Sequence, residues 1–150
     1  MAKSQRNLPM KKITLALSSK VLAVLGMVIA AYMTIYKWTA NDGMCLGSGD
    51  CSTVNASPYS AVYGVPVALV GLIGYLVLFL LFQFEDKHPI LREYGFIAIF
   101  GIALVGFLFT IYLVYLEFWV IHALCPFCLA SQATMTILFA LACARLVKQL

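Results

Sequence analysis

Four long apolar segments divide the chain, and they limit its fold more than any other feature of the sequence. They cover approximately residues 18–38, 64–84, 94–116 and 124–146. Each has the roughly 20 residues that a helix needs to cross the hydrocarbon core of a bilayer. Backbone polar groups in lipid must be paired within their own segment, so helices are the expected form. The sequence therefore predicts an all-α integral membrane protein, built as a four-transmembrane-helix bundle.

The composition excludes an ordinary water-soluble domain. Of the 150 residues, 63% are hydrophobic and only 11% are charged, whereas a typical soluble domain has about a quarter charged residues. Little chain is left outside the four segments, so we expect residues 1–150 to form a single membrane domain. A cleaved signal peptide in place of the first span stays an alternative, because a basic stretch precedes that segment.

Glycines recur within the second and third spans. Small residues let the backbones of membrane helices approach closely, and we expect that role here, with ligand contact as the alternative. These glycines are Gly71, Gly74, Gly95, Gly101 and Gly106.

The basic residues are distributed unevenly between the two sides of the predicted bundle. Nine of the ten Lys and Arg residues fall near the start of the first span, between the second and third spans, or after the fourth, and Lys37 falls on the opposite side. Cytoplasmic segments carry the excess of Lys and Arg. We therefore expect both termini in the cytoplasm and the protein in the inner (cytoplasmic) membrane of the cell. Residues 37–63 and the turn at 117–124 would then face outward.

Four of the five cysteines fall in the two connections that are expected to face outward. Cys45 and Cys51 enclose five residues, of which two are glycines, while Cys125 and Cys128 form a Cys-Pro-Phe-Cys motif where the fourth span begins. An outward location suits disulfide chemistry. A structural zinc site is the alternative, but zinc prefers closely spaced pairs in a soluble knuckle, so we expect no metal. Cys143, near the other end of the fourth span, is expected to be a packing residue.

The spacing of the second cysteine pair is typical of a redox site at the start of a helix. Residues i and i+3 of a helix have Cβ atoms roughly 5–6 Å apart, and a modest adjustment brings such a pair within disulfide distance. Pro126 suits the first helical turn, where its missing N–H would have no partner. The positive end of the helix dipole favours thiolates at Cys125 and Cys128, and a thiolate is the attacking species in disulfide exchange.

Together these motifs closely resemble the vitamin K epoxide reductase family, in the form of its bacterial homologues. The residues that carry the resemblance are Cys45-x5-Cys51, Ser57, Gly64-x-Pro66 and Cys125-Pro-Phe-Cys128. The resemblance covers all four spans. It implies a four-helix bundle around a quinone such as ubiquinone or menaquinone, with an outer loop and a short interfacial helix that cap the quinone pocket.

The resemblance also implies an enzyme, a quinone-dependent thiol-disulfide oxidoreductase whose catalytic residues are the four outward-facing cysteines. A reduced thioredoxin-fold partner would attack the Cys45–Cys51 disulfide at Cys45, and the freed Cys51 would attack Cys125. Cys128 would then pass the electrons to the quinone. The sequence shows no fused thioredoxin-like domain, so the partner is expected to be a separate, DsbA-like extracytoplasmic protein.

The quinone site is expected to use residues from the outer connection and from the start of the fourth helix. By resemblance and position they are Ser57, Tyr59, Ser60, Tyr63, Phe127 and Gln132. Ser60 stands where the family has an asparagine, and Ser131-Gln132 stands where animal members have Thr-Tyr. His122 is expected to be an ordinary interfacial group and Glu117 a helix-end carboxylate, with proton transfer as the alternative for both.

Three other functions stay open at this point. A quinone-linked oxidase of the DsbB type also has four helices and two outward cysteine pairs, but its Cys-x-x-Cys pair comes first, whereas here it comes second. A second possibility is a vitamin K epoxide or quinone reductase that serves its own substrate. A third is a non-enzymatic helical membrane subunit, which predicts that replacing any one of the four cysteines has no redox phenotype.

Overall fold

Four long helices form the protein, and their order agrees with the four apolar segments. The computed structural model describes residues 2–39, 53 and 56–149, with side chains from residue 13 to residue 148 of those ranges. The helices are α1 (Ala2–Thr39), α2 (Val67–Phe84), α3 (Pro89–Tyr115) and α4 (Pro126–Gln149). Four segments are long and apolar enough to cross a membrane, namely Ile13–Thr39, Val67–Phe84, Pro89–Ile121 and Pro126–Lys148. The predicted four-helix membrane bundle is confirmed.

A short capping segment joins α1 to α2. Its described part, residues 56–66, contains a 3-10 turn (Pro58–Ser60) and two short antiparallel strands, β1 (Ala61–Val62) and β2 (Val65–Pro66). The two residues between the strands both have positive φ, 52° for Tyr63 and 82° for Gly64, as a tight hairpin turn of the favoured twist requires. Glycine adopts that conformation without a steric cost, and tyrosine does not. The second predicted span therefore begins as a hairpin, and its helix starts only at Val67.

The third spanning segment is longer than the sequence predicts at both ends. It begins at Pro89 and, after α3, continues as a π-helix over Leu116–Ile121, which stops where His122 adopts a left-handed conformation. The prediction of a turn is thus wrong for residues 117–121, which are helical. The sequence analysis ended the span at the charge of Glu117. However, Ala103, Thr110 and Glu117 are spaced seven residues apart and are all buried. That spacing keeps all three on the face of the helix that points to the bundle.

The helices pack as a closed ring, in which α1 contacts α2 and α4, and α3 also contacts α2 and α4. The core contains Tyr75 and Leu78 of α2, Ile99 of α3 and Leu138 of α4. Gly26 of α1 lies against the ring of Tyr75, which a Cβ atom at that position would overlap. Large apolar side chains cover the outside of the ring, among them Val105, Leu108 and Ile137. An exterior of that kind suits lipid rather than water.

The end of the bundle where α2 and α4 finish carries a paired charge. Arg145 Nη2 donates to both carboxylate oxygens of Glu85, at 2.8 Å and 2.6 Å. Both side chains are mostly buried, 15% and 14% exposed, and the guanidinium also lies 5.5 Å from the centre of the Phe82 ring. This ion pair ties the end of α2 to the end of α4.

Candidate active site

A cavity of about 690 Å³ lies in the half of the bundle where α1 ends and where α2 and α4 begin. Its size falls within the range of about 300–1,000 Å³ that is usual for pockets that bind small molecules. Most of the wall is apolar. The polar and charged side chains that line it are Lys37, Ser57, Tyr59, Ser60, Tyr75, Thr110, Glu117, Cys128, Ser131 and Gln132.

Three glycines widen this cavity instead of bringing helices together. Gly71, Gly74 and Gly101 line it, and no atom lies within 4 Å of the place where a Cβ atom would stand. The prediction of close helix packing is therefore wrong for these three positions, because open space faces them. Gly106 does meet a neighbour, since a Cβ atom there would lie 2.9 Å from the side chain of Met135.

The two cysteines of the Cys-Pro-Phe-Cys motif have different surroundings. Cys128 lines the cavity. Cys125 is completely buried beside Met33 and Tyr36 of α1. As predicted, α4 begins at Pro126, and the carbonyl of Cys125 accepts the N–H of Leu129 at 3.0 Å. Cys125 thus stands at the N-terminal cap of α4, and Cys128 stands one turn deeper.

The pKa of Cys125 is lower than that of an ordinary thiol. The two sulfurs are hydrogen-bonded to each other and not joined in a disulfide. The thiol of Cys128 donates to Cys125, and this bond is the main reason that the pKa of Cys125 is lowered. Burial opposes the shift, while the backbone N–H groups of Cys128 and Phe127 add to it. A thiolate at the start of a helix, expected from the sequence, therefore has a structural basis at Cys125.

A hydrogen bond between Lys37 and Ser60 attaches the capping segment to α1. Lys37 Nζ donates to Ser60 Oγ at 2.6 Å, and Ser60 Oγ donates to the carbonyl of Ser57 at 2.8 Å. Tyr59, between these serines, also lines the cavity. Lys37 was not among the predicted site residues. Its isolation as the one basic residue on the side predicted to face outward was the signal in the sequence that pointed to it.

The comparison with known proteins agrees with this arrangement. The sequence model of the Vitamin K epoxide reductase family matches residues 18–143, which include most of all four helices. The chain belongs to the vitamin K epoxide reductase family. With its four apolar helices, it is a multi-pass membrane protein, as the resemblance implied.

One curated relative of this family member is the Thiol-disulfide oxidoreductase LTO1 of Arabidopsis thaliana. The two sequences are 33% identical over 111 residues, which cover 70% of this chain and 30% of the relative. The chain thus spans less than a third of the length of that protein.

Not every predicted site residue of this vitamin K epoxide reductase family member lies at the cavity. Ser57, Tyr59, Ser60, Phe127, Cys128 and Gln132 line it. Tyr63 does not line it and is fully exposed at the tip of the hairpin, because the positive-φ turn directs it away from the bundle. His122 is exposed after the π-helix and does not line the cavity. Cys45 and Cys51 lie outside the described residues.

Phe127 forms an aromatic contact between the start of α4 and α1. Its ring centre lies 5.0 Å from that of Tyr32 in α1, with the planes tilted by 41°. At the other end of the cavity, the hydroxyl of Tyr75 donates to the carbonyl of Ser131 at 2.6 Å. These contacts hold α4 against α1 and α2 on both sides of Cys128.

Glu117, expected from the sequence to be a helix-end carboxylate, also lines the cavity without having been among the predicted site residues. It is only 4% exposed, lines the cavity, and accepts a hydrogen bond on Oε1 from Gln132 Nε2 at 2.8 Å. Gln132 is 6% exposed and lines the same cavity. Within the part of the chain that the structure describes, Glu117 Oε2 and Gln132 Oε1 have no hydrogen-bond partner. Buried oxygens of this kind are uncommon and call for a functional or structural explanation.

Proposed function

We propose that the protein oxidises the thiols of a thioredoxin-fold partner and passes the electrons to a quinone held in the cavity. The observation that carries the proposal is the place of Cys128. It is one sulfur of a Cys-x-x-Cys pair, and it forms part of the wall of a large apolar cavity. A thiol pair can exchange disulfides with another protein, and only a lipid-soluble electron acceptor suits such a cavity within a membrane bundle.

The residues of the cavity fit a quinone. The apolar walls match its ring and tail, and the open space at Gly71, Gly74 and Gly101 leaves room for ring substituents. Lys37, Gln132 and Glu117 are the polar groups that would face the oxygens of the ring. A small number of polar groups in an apolar pocket is the usual pattern for orienting a ligand of this type.

The two cysteines of the motif would have different roles in the reaction. Cys125 would exchange disulfides with an incoming thiolate, and this exchange would release the sulfur of Cys128 on the cavity side. Cys128 would face the quinone. When bound, the quinone accepts the two electrons that are released as the Cys125–Cys128 disulfide re-forms. The side chains of Met33 and Tyr36 must separate from Cys125 before another sulfur can reach it.

The outer pair would connect this site to the partner. Cys45 follows Thr39, the end of α1, by six residues, and Cys51 precedes Ser57 of the cap by six. Six residues span at most about 20 Å, so chain length restricts both cysteines to the neighbourhood of the end of the bundle that contains Cys125. The partner would attack at Cys45, and Cys51 would carry the disulfide exchange to Cys125. The relative from Arabidopsis, by its name a thiol-disulfide oxidoreductase, supports this chemistry.

The proposal is tested by an anaerobic assay with purified protein in detergent. A reduced DsbA-type protein is added with ubiquinone or menaquinone, and both the partner's thiols and the quinone absorbance are followed. Cys128→Ala should lower quinone reduction by at least about 1,000-fold, since the thiol pair that donates the electrons is lost and its disulfide can no longer form. Cys143→Ala, the same change outside the motif, should leave the rate unchanged. Full quinone reduction by the Cys128 variant would contradict the proposal.

Orientation in the membrane is a separate part of the proposal. The capping segment would face away from the cytoplasm, with both termini inside and the protein in the inner membrane, because nine of ten basic residues fall on the other side. Intact cells that carry Tyr63→Cys or Lys87→Cys are treated with a membrane-impermeant thiol reagent, in a background that lacks Cys143. The reagent should modify the hairpin thiol and spare the one at position 87. The reverse pattern would place the redox pair in the cytoplasm.

A further inference from the structure

We infer that Glu117 is the proton-exchange group for the quinone ring, held in place by Gln132. This inference rests on the proposed function and adds to it a residue for the proton side of the reaction. It explains why a carboxyl group that no cysteine step requires is buried inside an apolar bundle, where an ionisable group carries a high energetic cost.

The position of Glu117 brings it close to the reacting sulfur. Cys128 and Gln132 are four residues apart on α4 and both line the cavity, so they are neighbours on one helix face, roughly 5–6 Å apart at Cβ. Glu117, in the π-helix that continues the neighbouring α3, reaches the same face through its hydrogen bond to Gln132, 2.8 Å long. A molecule in the cavity can therefore contact the carboxyl group and the sulfur of Cys128 at the same time.

The partner of Glu117 allows the carboxyl group to change its charge. Gln132 donates from its neutral amide, so gain or loss of a proton by Glu117 breaks no ion pair. The second oxygen, Oε2, has no partner among the described residues. In the neutral carboxyl group this oxygen carries an O–H, which donates to a carbonyl oxygen, and in the anion it accepts from a hydroxyl. Those two forms match the carbonyl oxygens of a quinone and the hydroxyls of a quinol.

The proton balance of the reaction leaves a place for such a group. Two S–H bonds break, one S–S bond forms, and two electrons and two protons reach the quinone oxygens. When Cys125 reacts as a thiolate, only the proton of Cys128 remains on the sulfur pair. Glu117 supplies the second proton from Oε2 and is protonated again by the proton that Cys125 released earlier into water at the outer end.

The test compares Glu117→Gln with Glu93→Gln, the same chemical change on an exposed part of α3. Glutamine keeps the shape and the hydrogen bond to Gln132 but cannot release a proton. In a single turnover of the reduced protein with menaquinone, the Glu117 variant should re-form its disulfide about 100-fold more slowly, and the Glu93 variant at the wild-type rate. The affinity for menaquinone, measured by equilibrium dialysis, should change less than about threefold, a ratio well below the tenfold that 1.4 kcal/mol represents.

An infrared difference spectrum provides a readout that does not depend on turnover. Loading the protein with menaquinone should shift a carboxyl C=O band in the wild type and in Glu93→Gln, and the shifting band should be missing in Glu117→Gln. Glu117→Asp, which keeps an acid, should recover part of the lost rate. A Glu117→Gln variant that re-forms its disulfide at the wild-type rate overturns the inference, and so does an unshifted carboxyl band. If the wild type itself fails to reduce quinone, the proposed function has failed instead.

Discussion

Among the described residues, two carboxylates are mostly buried in the bundle, and their hydrogen-bond partners differ. Glu85 receives two hydrogen bonds from Arg145, with both groups mostly buried. Glu117 receives one hydrogen bond, from a neutral amide, and keeps an oxygen without a partner among the described residues. Glu85 lies where two helices end, whereas Glu117 lies in the wall of the cavity. The first arrangement fixes a charge, and the second leaves a charge free to change.

From this difference we expect the end with the Glu85–Arg145 pair to serve stability and the end with the cavity to serve the proposed chemistry. A buried salt bridge stabilises the fold only where its hydrogen-bond geometry is good. Loss of one partner leaves an uncompensated buried charge. A buried carboxyl group with an incomplete set of hydrogen bonds lowers the free energy of unfolding instead of raising it. Variants at the two ends should therefore affect stability and activity in opposite order.

The largest effect on stability is expected at the Arg145 end. Arg145→Met keeps the apolar stem but leaves Glu85 without its cation, and should lower the free energy of unfolding by about 3 kcal/mol. Glu117→Gln should change it by less than about 1 kcal/mol. Reversible unfolding in mixed micelles measures both. The double variant Glu85→Gln with Arg145→Met should recover most of the loss, and a double variant as unstable as the single one would show that the charge is not the cause.

A smaller effect is expected where the cavity has no side chain. Gly101→Leu should fill part of the open space and weaken menaquinone binding about tenfold, which corresponds to about 1.4 kcal/mol. Gly101→Ala should have a much weaker effect because it adds one methyl group. Ile111→Phe enlarges an exposed side chain of the same helix that does not line the cavity and is the matched control. Equal affinities in all of these variants would mean that the quinone binds elsewhere.

The finest distinction concerns the two sulfurs. The hydrogen bond from Cys128 is the main reason that the pKa of Cys125 is lowered. Cys125 should therefore stay a thiolate at pH values below the pKa of an ordinary thiol, about 8.5. Its thiolate is lost as the pH falls through this lowered value. Cys128→Ala removes the main cause, so the loss should move to higher pH. The ultraviolet absorbance of the thiolate, with Cys143→Ala as the control, follows the titration, and an unmoved midpoint would contradict this account.

The helices and the redox motif could be predicted from the sequence because both depend on local rules. An apolar segment of sufficient length must form a helix in lipid, and Pro126 marks the start of α4 whatever surrounds it. The four cysteines, in combination with Ser57 and Gly64-x-Pro66, were sufficient to identify the family. None of these features depends on which other helix packs against the segment in the fold.

The missed features depend on packing between distant parts of the chain. Glu117 was taken for the end of a span because its partner, Gln132, belongs to another helix and becomes visible only in the fold. The role of Gly71, Gly74 and Gly101 follows from the empty space opposite them, which no single helix reveals. Tyr63 was expected at the quinone, but the backbone of a two-residue turn directs it outward.

Complete burial of Cys125 has a consequence for the lifetime of the protein. A sulfur of low pKa is the kind that peroxide oxidises first, and the steps beyond sulfenic acid are irreversible at most sites. Met33 and Tyr36 cover this sulfur and limit the access of peroxide and other water-borne oxidants. Met33, if it is oxidised instead, forms a sulfoxide that reductases can repair. The covering that delays disulfide exchange would thus also protect the motif from permanent damage.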